Sequence, residues 1–491
     1  MNLPILAGIE TEYGLTIESR DPTTQIHDAQ EFLEACKEEA FIGWDYSNEF
    51  PRKDLRGFEV DKLNANPLEA QYNSGAFQYG NTETRADRIL HNGARFYNDH
   101  GHPEYSTPEC FSLSELALHD KAGEIILFNT AQNYSKKIGK EVKIYKNNSD
   151  YHGSSYGTHE NYLVPRSLGY EKLFQALIPM LIVRQVLCGA GKVGSENGID
   201  CKYQLSPRAD FFTCESSVDT LHKRPIFNTR DEPHADPDNW IRLHVISGDA
   251  NRITSCTQRK VALIKCALSL AIEDKIPSWN IENPVQAIQK ISRDMSLKFE
   301  IPLQSGKTTN AFEILQSYFK AFTTITDYKD PEVENCIAEC EELIQAFDNH
   351  PDLLTQKIDW AAKRHILETF IEDQGISWSD PYIKALELQY HLIDPKNSLY
   401  DLLLENEQIE DKITLNSTKA YINQNFENNR AAIRGKAIRD FSEHLITANW
   451  NSLTFKLNSK QVVLPIEPHK IYNRELFSTA NVEYFINSLR G

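Results

Sequence analysis

A change of period near residue 258 constrains this chain more than any other feature of its sequence. Before that point apolar residues recur mostly at every second position, and after it they recur at helical spacing. The alternation is clearest over Ile9–Ile17. It predicts one strand with Ile9, Thr11, Tyr13, Leu15 and Ile17 on one face, and Glu10 and Glu12 on the other. Further strand patterns cover Ala94–Asp99, Val142–Lys146, His159–Val164 and Arg242–Ile246, broken by helical patterns at Ala29–Glu39 and Leu173–Leu187. The second half reads as helices over Lys260–Glu273, Pro284–Asp294, Thr309–Thr324, Pro331–Asn349, Lys357–Asp373 and Pro381–Leu392. A helix is expected over Arg430–Asn449, then short strands over Ser452–Leu457 and Gln461–Pro465. Strand runs followed by helix runs predict an α+β fold, not a doubly wound parallel sheet. The expected division is a catalytic domain over residues 1–420, mainly helical from about 260 to 400, and a small C-terminal domain over 421–491. One stretch, about 43–87, has no period and is rich in Asn, Asp, Gly, Pro and Arg; loops of that length are commonly lids or binding loops.

Composition excludes several classes. The net charge of −18 argues against a nucleic-acid partner, because neutralising phosphates takes clustered Lys and Arg. An acidic partner must be met by a local groove of opposite sign. The nine cysteines show no framework spacing, which predicts a reducing, cytoplasmic setting. Cys336 and Cys340, at i,i+4 in an acidic stretch, stand without a second pair to make a metal site. The first residues lack the charged region of a signal peptide, and no run nears the ~20 apolar residues of a membrane span, so no membrane association is expected.

The chemistry-bearing residues cluster. Glu10 and Glu12 share a strand face, with Cα atoms ~7 Å apart. A lone Glu-x-Glu is ordinarily a solvated face, but on the Ala94–Asp99 strand Arg95, Tyr97 and Asp99 also share a face, while Asn98 points away. A cation, a phenol and a carboxylate in a row suit a phosphate-and-metal surface. The segment Asp99–Glu109 adds Glu104, and such oxygen ligands favour Mg²⁺. Zinc is the competing thought, from His100, His102, Glu104 and Cys110, but no tetrahedral spacing supports it. His159 beside Glu160, and Arg242 with His244, are further candidates, although an isolated His is more often a hydrogen-bonded structural residue. No phosphate-binding loop or nucleophile elbow is present, and Gly189–Gly194 follows a helical pattern and reads as a turn.

Read together, these segments resemble a known family. Gly8–Gly14 (GIETEYG), Asn92–Tyr105 (NGARFYNDHGHPEY), Tyr145–Asn148, Ser155–Leu163 (SYGTHENYL), Asn228–Asp236 and Leu243–Ile246, in that order, resemble the Pup ligase/depupylase family nearly end to end. The resemblance implies a glutamine-synthetase-like fold, a curved, largely antiparallel sheet flanked by helices that cradles ATP (or ADP plus phosphate) and Mg. It implies Glu10 and Glu104 as metal ligands with Tyr97 beside the metal and Glu12 lining the same cleft. Arg95, Thr107 and Trp450 would contact ATP, with His159, Arg230 and His244 nearby, and Asp99 would be the catalytic carboxylate. The family holds a ligase that joins the C-terminal Glu of Pup to a substrate lysine, and a depupylase/deamidase that hydrolyses that isopeptide bond and converts a C-terminal Gln of Pup to Glu. Trp44–Tyr46 and Arg56–Phe58 look like the hydrolase's insertion, and the Asp99–Glu104 spacing resembles the hydrolase too. The expected partner is therefore Pup or a Pup-like modifier and its conjugates. The alternatives are the Pup–protein ligase and a glutamate–cysteine-ligase-like carboxylate–amine ligase.

Overall fold

The computed structural model describes residues 3–47, 49–61, 63, 85–151, 155–220, 224–413 and 415–490. The first strands in chain order are β1 (Ala7–Glu12), β2 (Gly14–Ile17), β3 (Ala40–Phe41), β4 (Arg88–Leu90), β5 (Arg95–Asp99), β6 (His102–Ser106), β7 (Val142–Tyr145) and β8 (Thr158–Pro165). A seven-stranded sheet runs in the order Trp240–Gly248, β8, β1, β6, β5, β4, β3, with every pairing antiparallel. The architecture is α+β, as the change of period predicts.

Alternation decides which face of this sheet is buried. Ile9, Phe96, Tyr105, Tyr162, Leu243 and Val245 are all within 2% of full burial and fill the back of the sheet. Each such side chain contributes about 1.5–3 kcal/mol through burial. Helices Gly169–Val183 and Thr254–Ile272 supply much of the opposing apolar surface. Helix Leu113–Ile138 packs closely on β6 at Gly123, where a Cβ would fall 2.4 Å from the Tyr105 ring.

The structure corrects several sequence expectations. Ile9–Ile17 is two strands, not one: β1 ends at Glu12, Tyr13 donates its N–H to Pro103 O (3.0 Å), and β2 pairs with β7 in a separate ribbon. The 26-residue helix Leu113–Ile138 was not expected. Its buried face includes His119, Asp120 and Glu124, which dilute the apolar period; Lys146 pairs with Asp120 (2.7 Å) and Glu124 (2.9 Å) there. Its capping signal was readable, since Ser112 accepts from Glu115 N and Gly139 closes the helix at φ 68°. The first helix is Gln25–Glu34, stopping short of Glu39, and the Leu173–Leu187 helix breaks at Arg184. The Arg430 helix stops at Phe441; Leu445–Ala448 is instead a strand paired with Ser452–Leu457. Gly189–Gly194, expected as a turn, is irregular backbone over 189–191 followed by the short strand Lys192–Val193. Within the stretch 43–87, residues 48, 62 and 64–84 lie outside the described residues. Among the described residues no helix is long and apolar enough to cross a membrane.

Candidate active site

Strand register assembles the site. Glu10 lies opposite Ser106 on one side and His159 on the other, and Ser106 lies opposite Arg95. Glu12 is opposite Glu104, Glu104 opposite Tyr97, Asp99 opposite His102, and Asn161 opposite His244. Directly opposed residues project to the same face. One face therefore carries Glu10, Glu12, Arg95, Tyr97, Asp99, Glu104, His159 and His244, while Asn98 faces back, its side chain accepting from Gly101 N (3.0 Å).

Two groups of ligand-type side chains form on that face. Glu12, Asp99 and Glu104 each offer a carboxylate oxygen, all within 4.8 Å of one another. Glu10, His159 and His244 make a second group within the same limit. Glu10 is thus not part of the all-carboxylate group; it accepts from Asn161 Nδ2 (2.9 Å) and lies 3.7 Å from Arg242. Tyr97 donates its hydroxyl to Glu104 (2.5 Å). Gly157 donates its N–H to Glu12 (3.0 Å), and only glycine allows that approach, because a Cβ would sit 2.0 Å from His159 Nε2. His102 lies 3.6 Å from Glu12 on its other side.

The two groups differ in charge balance. Burial, then the Asp99 charge, pushes Glu12 up to about 8. Burial and the charges of Asp99, Glu10 and Glu12 hold Glu104 well above the usual carboxylate range. Burial also works against Asp99, but His100, Arg85, His159 and Arg95 outweigh it and hold this carboxyl low. Burial opposes ionisation of Glu10 as well, and is outweighed by His159, Arg242 and Asn161. Burial, then Arg242, keeps His244 well below the ordinary histidine range. Glu12, Asp99 and Glu104 offer clustered carboxylate oxygens of the kind a hard divalent cation takes, and a cation among them would offset the like charges that raise Glu12 and Glu104. Cys110, once weighed as a zinc ligand, is fully buried and belongs to neither group.

Beside these groups the face opens into a pocket bordered by Gly8, Glu10, Ser106, Thr107, Asn161, Arg242, Arg430 and Trp450. Thr107 is fixed there, its Oγ1 accepting from Ile9 N (3.0 Å). Trp450 sits in the turn between strands Leu445–Ala448 and Ser452–Leu457, edge-on to Trp44 at 5.0 Å. Arg434 covers the Trp450 ring at 4.8 Å, and Arg430 and Arg434 both clasp the buried Glu109. Arg95 lies between the rings of Trp44 (4.2 Å) and Tyr97 (4.0 Å), with its Nε on Asp87 (2.7 Å). Arg230 stands farther out, 3.8 Å from Glu232, which also meets Arg242 at 3.3 Å. Ser106, Asn161 and Arg430 escaped the sequence reading. The first two follow from period two (Glu104-x-Ser106 and His159-x-Asn161), whereas Arg430 arrives from 321 residues beyond Glu109 with no local signal.

An acidic cluster beside a pocket with cationic and indole walls, on one face of an antiparallel sheet, defines the class of site. The family model described as Pup-ligase protein matches residues 5–454, and the chain belongs to that family. A depupylase of Acidothermus cellulolyticus is 34% identical over 94% of this chain and 93% of its own length. The Pup deamidase/depupylase of Mycolicibacterium smegmatis is 33% identical over 93% of each chain. A Pup–protein ligase of Geodermatophilus obscurus is 36% identical over 78% of this chain and 87% of its own. Among solved structures, the complex between Pup and its ligase PafA matches with a TM-score of 0.79 at 26% identity, covering 99% of this chain and 91% of that one. The Pup ligase PafA in complex with ADP matches at 0.73 and 28% identity, over 88% and 96%. The fold is accordingly the glutamine-synthetase-like α+β class.

Proposed function

We propose that this chain is an ATP- and Mg-dependent amidohydrolase. It cleaves the isopeptide bond between Pup, or a Pup-like modifier, and substrate lysines, and deamidates the modifier's C-terminal Gln to Glu. The observation that carries the reading is the convergence of Glu12, Asp99 and Glu104 within 4.8 Å, beside a pocket bordered by Thr107, Arg242 and Trp450. Relatives named as depupylases support the hydrolase assignment, matching over 93–94% of the chain against 78–79% for the Pup–protein ligases. The described part of the insertion supports it too, since Trp44 packs directly on Trp450.

In this reading Glu10, Glu12 and Glu104, with Tyr97 adjoining, hold the cation. Arg95, Thr107 and Trp450 contact the nucleotide, and His159, Arg230 and His244 line its surroundings. Magnesium, when bound, neutralises charge on the triphosphate. Residues 421–491 act as a small domain completing the nucleotide site by bringing in Arg430 and Trp450, against residues 1–420. Asp99, kept ionised by its neighbours, works on the amide. It attacks the carbonyl carbon to give an anhydride that water then opens, or it takes a proton from the water that attacks. Either way water adds across the C–N bond and the amine leaves with a proton. Hydrolysis needs no ATP energy, so the nucleotide acts as a retained electrostatic cofactor, and one ATP consumed per amide cleaved defeats that part of the reading. The setting is cytoplasmic.

Mass spectrometry of a Gln-ended Pup incubated with the enzyme and Mg·ATP tests the proposal. Ammonia release with a gain of about one mass unit, lost in Asp99→Asn, is expected. The 36% identity to a Pup–protein ligase favours ligation as the second reading. A larger conjugate formed from Glu-ended Pup, ATP and a lysine-bearing target would establish that instead.

A further inference from the structure

Ser106 is a polar residue on the working face that no part of the mechanism above uses. It ends β6, two residues beyond Glu104, and its register partners are Glu10 on β1 and Arg95 on β5. It is only 2% exposed, and its hydroxyl has no hydrogen-bond partner among the described residues. Leaving a buried hydroxyl unsatisfied is unfavourable, and alanine in its place would avoid that loss, so the protein alone gives this serine no structural reason to be a serine. Nor is the position merely a matter of size, since the next side chain, Thr107, does spend its oxygen on the backbone of Ile9 at 3.0 Å.

Its place on the face says what the hydroxyl meets. One strand step separates it from Glu104 and the acidic cluster, and it borders the same pocket as Thr107 and Trp450. In the reading proposed above, phosphates running from a base at Trp450 to a cation at Glu10, Glu12 and Glu104 would cross this position, beside the Arg95 side chain. We infer that Ser106 is a further nucleotide-binding residue whose hydroxyl donates to a non-bridging phosphate oxygen. The inference rests on the nucleotide site proposed above. Arg95 and Ser106 are neighbours on adjacent strands, so they form one phosphate grip: a charge from β5 and a neutral donor from β6. A neutral donor suits the spot because Glu10, on its other side, already has Arg242 as its counter-charge at 3.7 Å and Asn161 as a donor.

The test compares Ser106→Ala, Ser106→Thr and Ser106→Val with wild type by isothermal calorimetry, using Mg·ATP and, separately, adenosine. Thermal unfolding of the nucleotide-free proteins runs alongside. Ser106→Ala is expected to weaken Mg·ATP about tenfold, the loss of one hydrogen bond to a charged group, while adenosine affinity and nucleotide-free stability stay at or above wild type. Thr and Val occupy nearly equal volume, so Thr binding Mg·ATP more tightly than Val assigns the effect to the hydroxyl. Ser106→Ala that binds Mg·ATP as wild type does, that weakens adenosine equally, or that unfolds earlier without nucleotide overturns the inference alone. Wild-type protein that binds no Mg·ATP overturns the underlying nucleotide reading along with it.

Discussion

The two ligand groups on the sheet face sit side by side, share strand β1 and are built from similar residues, yet they are electrostatic opposites. Glu10 is answered within the protein: Asn161 donates to it, and Arg242 and His159 lie at 3.7 and 3.9 Å. Glu12, Asp99 and Glu104 mostly face one another, so Glu12 rises to about 8 and Glu104 is held well above its ordinary range. One group is a finished ion-pair network, and the other is finished only by protons or by a cation. The lesson is that a carboxylate's role in this site follows from what lies across the strand from it, not from its position in Glu-x-Glu.

The largest expected effect breaks the unbalanced group at its one low-pKa member. Asp99→Asn should lower amide hydrolysis by a factor on the order of 10² to 10⁴, the range for removing a positioned proton-transfer group, with Mg·ATP affinity reduced far less. Single-turnover hydrolysis with a binding titration checks it, and equal losses in both would make Asp99 a binding residue only. Next, Glu104→Gln and Glu10→Gln should move cation-free stability in opposite directions. At a pH high enough to ionise Glu104, replacing it by Gln relieves crowding among three carboxylates and should raise the unfolding midpoint. Removing the charge from Glu10 leaves Arg242 without part of its partner and should destabilise by about 1–3 kcal/mol. Added Mg²⁺ should raise the midpoint of wild type more than that of either variant, because both lose a residue proposed to hold the cation. Two shifts of the same sign in denaturant melts would erase the distinction between the groups.

How much of this was legible depends on how local each signal is. Strand alternation placed Glu10, Glu12, Arg95, Tyr97 and Asp99 on faces correctly, because a side chain's direction in a strand is set by its immediate neighbours. It could not show that Glu12 and Glu104 oppose each other, since register is a long-range property decided by the pairing of β1 with β6. β6 itself was read as a ligand-rich segment, and Pro103 and the polar His102 and Glu104 hid its alternation. The helix Leu113–Ile138 was hidden for a related reason: Asp120 and Glu124 look solvated in sequence, but Lys146, just past the end of β7, neutralises them. Trp450 and Arg430 reach the site only through tertiary docking. For Trp450 the family resemblance supplied what pattern reading could not.

The smallest expected effect is a pH slope, and its sign separates the two groups. Between 4.5 and about 8 the folded chain holds a proton on Glu12 that the unfolded chain has released, so cation-free stability falls as pH rises through that window. The slope is about 1.4 kcal/mol per pH unit at most for one such proton. The buried histidines act the other way. Burial lowers His102 to about 4 and His244 well below 6.5, so below 6.5 the unfolded chain binds protons that the folded chain does not, and stability rises with pH there. Below 6.5 the two contributions oppose each other; between 6.5 and about 8 the histidine contribution has ended and the carboxylate contribution remains. Denaturant melts in EDTA over that upper interval should show stability declining with pH, and Glu12→Gln should flatten the line. Mg²⁺ should reverse it, because the cation displaces the same proton and binds more tightly as that proton leaves. A rising line in EDTA above 6.5 would mean that Glu12 is already ionised, and the carboxylate group would then be as balanced as its neighbour.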